Sequence, residues 1–443
     1  MIPKQGNERS PPLTTDQIET YLRDGILVVD NLLKPEEVAE AQRGLAKTLL
    51  EEYGVDVHDL ETTGIGLVDA SSTNGAGGVL DIFYPEWKMK IATHETLFLM
   101  TCQLWREAYC QEGESLNDLL HISSAGKEKL ENMQFKWHPF GRFDCSKGFM
   151  YIDRIGYRIP TSIAEKLGKQ KMETPRTDAP SKCDHTTYED TPKQKKNSKN
   201  PRPIQRSLTP HFDCCPESFH DTTNKNKWRP IQSFVSLTDN LHPNTGGFEA
   251  VPGFHREFHT WVDNKRLHAT QSEFNEAQPH ARPCVGEYTH LSPSHDRLLL
   301  QKIQHIPVKA GSVVFWDNRI PHGNSYRNDP VLGDVLGSEC SSSISELLGT
   351  GSRAVVYCSF LPDVDLNRRF VKSQLQDWRL GRHPRVGDRW MKREGNCDSE
   401  GRCQVVSKKA KSDQVLYCNG VEDVEKSTSL TELGKRLIGL LEW

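Results

Sequence analysis

Apolar positions recur along this chain with two different periods, and the change of period divides it. Near the N-terminus the period is helical. Residues 14–23 predict a short helix, with Thr14 and Gln17 in capping-box spacing. Gly25-Ile26-Leu27-Val28-Val29 follows as a short apolar strand. Pro35 opens a second helix, with Val38, Ala41, Leu45 and Leu49 on one face and Gly54 near its end. Residues 91–109 predict a third, with Leu97, Met100, Leu104 and Trp105 turned inward. Beyond about residue 148 the apolar runs become short and strand-like: 149–159, 231–237, 303–308, 312–316 and 354–360. Asn244-Thr245-Gly246-Gly247 and Ala310-Gly311 supply turns between them.

Many short strands with partners far along the chain predict a closed or two-sheet β architecture, such as a jelly roll, mainly β with flanking helices. Three stretches break the pattern. Residues 168–206 are rich in Lys, Pro, Thr, Ser and Asn and predict a disordered insertion, because they cannot bury enough apolar surface to offset ordering. Residues 328–352 form a Gly- and Ser-rich loop, and 395–428 a further polar stretch. The expected organisation is an N-terminal tail with buttressing helices over 1–145, a β core over 146–370 carrying both insertions, and a C-terminal helix and polar tail over 371–443.

Composition narrows the functional classes. With 35% hydrophobic and 26% charged residues and a net charge of −4, the chain makes no general electrostatic case for nucleic acid or anionic membrane. The basic stretch from Arg368 to Arg393 is interspersed with aspartates and reads as a solvated helix and tail. No apolar run approaches the roughly 18 residues of a membrane span, and no secretory signal opens the chain. The 12 scattered cysteines, without CxxC pairs, read as reduced thiols. A cytoplasmic protein is expected.

Against that background three features stand together. In Thr209-Pro210-His211-Phe212-Asp213, His211 and Asp213 at i and i+2 project to the same side of a strand, so both can reach one metal ion. His322, in Pro321-His322-Gly323, follows the strong strand Ser312-Val313-Val314-Phe315-Trp316. Two histidines and one carboxylate are the set of non-haem iron(II) oxygenases, which leaves positions open for a chelating 2-oxo acid and O2. A structural zinc site uses four protein ligands, usually with sulfur. The neighbouring Cys214 and Cys215 leave a cysteine-containing site open, though they are less well aimed than Asp213. Arg353 opens a strand that alternates Arg353, Val355, Tyr357 and Ser359 on one face with Ala354, Val356, Cys358 and Phe360 on the other. An inward guanidinium needs an anion, and the far carboxylate of 2-oxoglutarate fits its fork.

Other residues are candidates for the pocket. Gln232 could point inward to substrate or 2-oxoglutarate, or outward to solvent. Arg154 and Arg158 share a strand face and could meet an anion inside the barrel, surface ion pairs being the commoner outcome. Trp316 could wall the site or simply fill the core. His255, in Pro252-Gly253-Phe254-His255, is expected to make a structural hydrogen bond in a turn.

Together Pro210-His211-Phe212-Asp213, the strand from Pro230 to Asp239, Thr245-Gly246-Gly247-Phe248-Glu249-Ala250-Val251-Pro252-Gly253-Phe254-His255, Ala310-Gly311-Ser312-Val313-Val314-Phe315-Trp316-Asp317 and Pro321-His322-Gly323 resemble the phytanoyl-CoA dioxygenase-like family of iron(II)/2-oxoglutarate-dependent oxygenases. The resemblance covers about residues 14–375. It implies a double-stranded β-helix (jelly roll, cupin-like) core, with His211, Asp213 and His322 as iron ligands and Arg353 as the 2-oxoglutarate anchor. In the family that arginine follows the distal histidine by a short loop, whereas here residues 328–352 intervene. Arg327 is nearer and is the alternative; Arg353 is preferred because it begins the apolar strand. The implied cofactors are Fe(II), 2-oxoglutarate and O2, with ascorbate supportive. The implied reaction is hydroxylation of an unactivated C–H in a small organic substrate, with succinate and CO2 as co-products. Asp213 argues against the halogenating variant, which lacks the carboxylate. Desaturation or demethylation by the same centre is a rival outcome, and a non-catalytic jelly-roll binding protein a rival class.

Overall fold

Thr14 begins the first helix as its sequence spacing requires. Its hydroxyl accepts from the Gln17 N–H at 3.2 Å, and the Gln17 side chain accepts from the Thr14 N–H at 2.9 Å. The structure, a computed structural model, describes residues 11–109, 143–173, 201–214, 227–264, 289–291, 293–294, 296–329, 346–384 and 430–443. Its principal helices are α1 (Thr15–Asp24), α2 (Pro35–Tyr53), α3 (Glu86–Ala92), α4 (Glu95–Ala108), α5 (Thr161–Glu173), α6 (Asp365–Arg379) and α7 (Glu432–Leu437). The strands are β1 (Ile26–Val29), β2 (Val79–Leu80), β3 (Gly148–Tyr151), β4 (Ile155–Arg158), β5 (His211–Phe212), β6 (Ile231–Ser236), β7 (Phe248–Ala250), β8 (Thr289–His290), β9 (Gln304–His305), β10 (Val313–Asp317), β11 (His322–Asn324), β12 (Arg353–Tyr357) and β13 (Ser359–Pro362).

These strands form a jelly-roll core of two antiparallel sheets. The larger runs β1-β10-β6-β12-β4-β2 and the smaller β8-β5-β11-β7-β9, with β13 and β3 as a separate pair. Strand alternation sorts the apolar residues into two layers. Phe234, Val314, Trp316 and Val355 of the larger sheet join Phe212, Phe248 and Ala250 of the smaller in one cluster. Val235, Val313, Phe315, Ala354 and Val356, from the opposite face, join Leu45 and Leu49 of α2, Met89 of α3 and Trp105 of α4 in the other. The β12 alternation read from the sequence is therefore the one the fold uses. Among the described residues no helix is long and apolar enough to cross a membrane.

Several boundaries differ from those expected. The N-terminal segment does more than buttress: β1 and β2 form the two edges of the larger sheet. The third helix is two, α3 and α4, separated at Thr93 and His94. The apolar run 149–159 divides between β3 and β4, which pair with β13 and β12 respectively. The expected insertion begins late and ends early. Helix α5 extends through residue 173, and Ile204 and Gln205 are buried. Their backbone and side chain explain this: the Ile204 N–H donates to Ala164 O, and the Gln205 amide bonds Ile159 N and Tyr157 O. Residues 174–200 lie outside the described residues. In the expected loop 328–352, Asn328 is buried and its amide donates to Arg158 O and Gly351 O, each at 3.0 Å. Residues 330–345 and the polar stretch 395–428 lie outside the described residues. At the C-terminus the chain returns to the core, where Leu437 and Ile438 of the last segment are fully buried.

Candidate metal centre

His211 on β5 and His322 on β11 are direct cross-strand partners. Opposed residues on adjacent strands share a face, and the two rings stand 4.4 Å apart between centroids. Asp213, two residues beyond His211, joins them: His211 Nε2 is 3.4 Å from its Oδ1 and His322 Nε2 is 3.9 Å from its Oδ2. One ligating atom from each of the three lies within 4.8 Å of the others.

The backbone sets the orientation of both rings. His211 Nδ1 is 2.8 Å from Thr209 O, and His322 Nδ1 is 3.0 Å from Ile320 O. A carbonyl only accepts, so Nδ1 carries a proton in each ring and Nε2 is turned toward Asp213. Burial, reinforced by the neighbouring His211, pulls His322 down to about 3, so its ring is neutral at physiological pH. Burial by itself would push the Asp213 carboxyl up. Contacts with His211, His322 and Arg229 outweigh it and hold the group well below the usual carboxylate range. Two imidazole nitrogens and a carboxylate thus converge, an arrangement that a divalent cation completes. The donor set of two imidazoles and one carboxylate on one side suits iron(II) and leaves the remaining positions free. Cys214 is buried but is not a member of this cluster, and Cys215 lies outside the described residues.

A single cavity between the sheets takes in these three residues together with Gln232, Trp316, Arg353 and Tyr357. Arg353 is 4% exposed and lies over the Phe234 ring at 5.5 Å. Burial pulls its guanidinium down from the ordinary value, opposed by Tyr357, to which it hydrogen-bonds. Among the described residues no carboxylate pairs with it. Arg327, the alternative, is exposed, pairs with Asp329 and does not line the cavity. Gln232 donates from Nε2 to Asp213 Oδ2 at 2.7 Å. Trp316 packs against His322 at 5.2 Å and Phe248 at 5.1 Å.

Arg158 is not in the cavity wall. Although opposite Arg353 in register, it extends to the ends of β11 and donates to Ser325 O and Tyr326 O. Arg154 does line the cavity, but Asp81 and Ser72 engage its guanidinium. His255 donates from Nε2 to Leu22 O at 3.1 Å, the structural bond expected of it.

Sequence reasoning missed Arg229, which lies 3.2 Å from Asp153 and 3.5 Å from Asp213 and stacks over Tyr151 at 4.6 Å. It precedes β6 in irregular backbone, where no periodicity assigns a face. Tyr357 was placed on the inward face of its strand without a role, and the alternation that located Arg353 also located it.

The fold has solved counterparts. The chain is similar to GlcNAc Inducible Gene 2 from Candida albicans at 12% identity and a TM-score of 0.54, covering 98% of this chain and 78% of that one. It is also similar to a hypothetical protein from Escherichia coli at 13% identity and a TM-score of 0.52, covering 96% and 81% respectively. These likenesses concern the fold. No family model matches the chain, and no curated protein does.

Proposed function

We propose that this protein is an iron(II)- and 2-oxoglutarate-dependent oxygenase, of the phytanoyl-CoA dioxygenase-like kind, that hydroxylates an unactivated C–H of a small organic substrate. The observation that carries the proposal is one cavity holding both a His-Asp-His cluster and a buried guanidinium that pairs with no carboxylate among the described residues. His211, Asp213 and His322 would hold the metal, and Arg353, with Tyr357 beside it, would take the far carboxylate of 2-oxoglutarate. Iron(II) bound there would supply the coupled oxidation of 2-oxoglutarate and substrate by O2, with succinate and CO2 as co-products.

The chain's own residues supply the setting. Thr209 O and Ile320 O fix the tautomers that aim Nε2 at the metal. Phe234, Phe248 and Trp316 give the cavity an apolar wall that excludes water from the reacting centre. The reaction takes place in a cytoplasmic protein on a small molecule.

The test is succinate formation from 2-oxoglutarate with Fe(II), ascorbate and air. Wild-type protein is expected to turn over 2-oxoglutarate, and His211→Ala and Asp213→Ala to lose both turnover and Fe(II) retention. Normal iron stoichiometry in both variants would sink the assignment. Silence in the assay, with a thermal midpoint unmoved by Fe(II) and 2-oxoglutarate, would instead identify a binding protein. A substrate screen scored by stimulated 2-oxoglutarate turnover, followed by product analysis, separates hydroxylation from desaturation or demethylation.

A further inference from the structure

A carboxylate can offer a metal one oxygen or two, and the choice decides how many coordination positions stay open. In Asp213 the two oxygens are not equivalent. Oδ2 accepts from Gln232 Nε2 at 2.7 Å and faces Arg229 Nη2 at 3.5 Å. Oδ1 faces His211 Nε2 at 3.4 Å, while His322 Nε2 lies farther off, 3.9 Å from Oδ2. Because a carboxylate only accepts, the short contact fixes the Gln232 amide with its nitrogen toward Asp213. Its oxygen, Oε1, is buried and has no hydrogen-bond partner among the described residues. Gln232 is 1% exposed on a central strand and stands opposite Trp316 in register. Arg229 is the weaker holder, since its contact is longer and it is shared with Asp153.

We propose that Gln232 is a positioning residue that reserves Oδ2 of Asp213, so that Oδ1 alone is presented to the metal. The neighbouring position then stays open for co-substrate or O2. This inference rests on the metal-centre reading above. It uses the amide as a donor to a ligand carboxylate, the kind of outer contact that orients metal ligands.

The test uses Co(II) alone, without 2-oxoglutarate or substrate, on the full chain. Cobalt's visible band follows its coordination number and geometry, and binding is followed by competition with a chromophoric chelator. Gln232→Met removes the donor at similar length. Gln232→Asn keeps an amide but is one methylene too short to reach Asp213, and serves if the first variant fails to fold. Both are expected to shift the cobalt band, as Oδ2 enters the metal's surroundings, and to bind Co(II) on the order of ten- to a hundredfold more weakly. A purely structural role would lower the metal-free thermal midpoint and leave the band alone. A folded variant with the wild-type band overturns the inference whatever its activity. Wild-type protein that binds no Co(II) overturns the metal centre itself, which is a separate and recognisable failure.

Discussion

Arg353 is the residue whose environment asks most plainly for a ligand. A guanidinium at 4% exposure that pairs with no carboxylate among the described residues costs stability unless an anion arrives. A charge-assisted hydrogen bond contributes about 1.5–3 kcal/mol, or roughly ten- to a hundredfold in affinity. Arg353→Met is therefore expected to raise the 2-oxoglutarate concentration for half-maximal turnover at least about tenfold, without loss of thermal stability. Arg327→Ala, at an exposed ion pair, should leave that concentration within about twofold; initial rates across a 2-oxoglutarate series decide between the two arginines. A second residue gives a pH signature. Burial holds His255 down to about 4 in the fold, while in the unfolded chain it titrates near about 6.5. Between those values acid protonates the unfolded state first, so stability falls as pH drops from about 6.5 to 4, by on the order of 3 kcal/mol from this group. His255→Gln should flatten that limb of the stability–pH curve; an equally steep limb in the variant would refute the assignment. At this scale the sequence was informative where geometry is short-range. An HxD pair on a strand shares a face whatever the fold. Arg158 shows the limit: alternation chose its face, but a long side chain selected carbonyls of Ser325 and Tyr326 that only the fold brings near.

Among the elements, the segment 70–80 links backbone conformation to the cavity, because it carries Thr73 and Val79 into the wall and ends in β2. Gly75 has φ +76°, and a Cβ there would lie 1.9 Å from Ile204 O. Gly54, which ends α2, has φ +66° with nothing among the described residues within 4 Å of a Cβ. The pair separates strain from collision. Gly54→Ala should cost only the left-handed penalty, about 1–2 kcal/mol. Gly75→Ala adds a backbone clash to about the same conformational cost, so its unfolding midpoint in urea should fall further. Its turnover of 2-oxoglutarate should also drop in protein that remains folded. Equal midpoints in the two variants would show that the segment yields without cost. Element legibility followed the strength of the periodic signal. Helices α1 and α2 and strands β6, β10 and β12 carry enough apolar positions to announce themselves. Strand β2 has two residues, and α5 buries Ala164 and Leu167 among polar neighbours, so neither leaves a period to read.

At the scale of the whole molecule, the chain's last fourteen residues connect α4 to the site through the β3–β13 pair. Trp443 stacks on Phe98 of α4 at 5.4 Å, and its indole donates to Gly148 O of β3 at 2.8 Å. Strand β13, paired with β3, begins at Ser359 in the cavity wall, and Asp153 beyond β3 holds Arg229 against Asp213. A polar tail was expected here because residues 395–428 dominate the composition of the C-terminal region, while the apolar positions that matter, Leu437, Ile438 and Trp443, are few and lie at its end. Fully burying two aliphatic side chains contributes on the order of 3–6 kcal/mol, which is comparable with the roughly 5–15 kcal/mol net stability of a folded domain. Ending the chain after residue 429 should therefore abolish a cooperative denaturant transition or move its midpoint far down. Leu437→Ala, which leaves a cavity and keeps Trp443, should lose about 2–5 kcal/mol and retain the transition. If the last segment acts through β3, loss of Co(II) affinity in Leu437→Ala should appear only at denaturant concentrations that begin to unfold it. A truncated chain with the wild-type midpoint would show that the segment merely rests on the core, and that β3 and β13 hold their place beside Asp153 unaided.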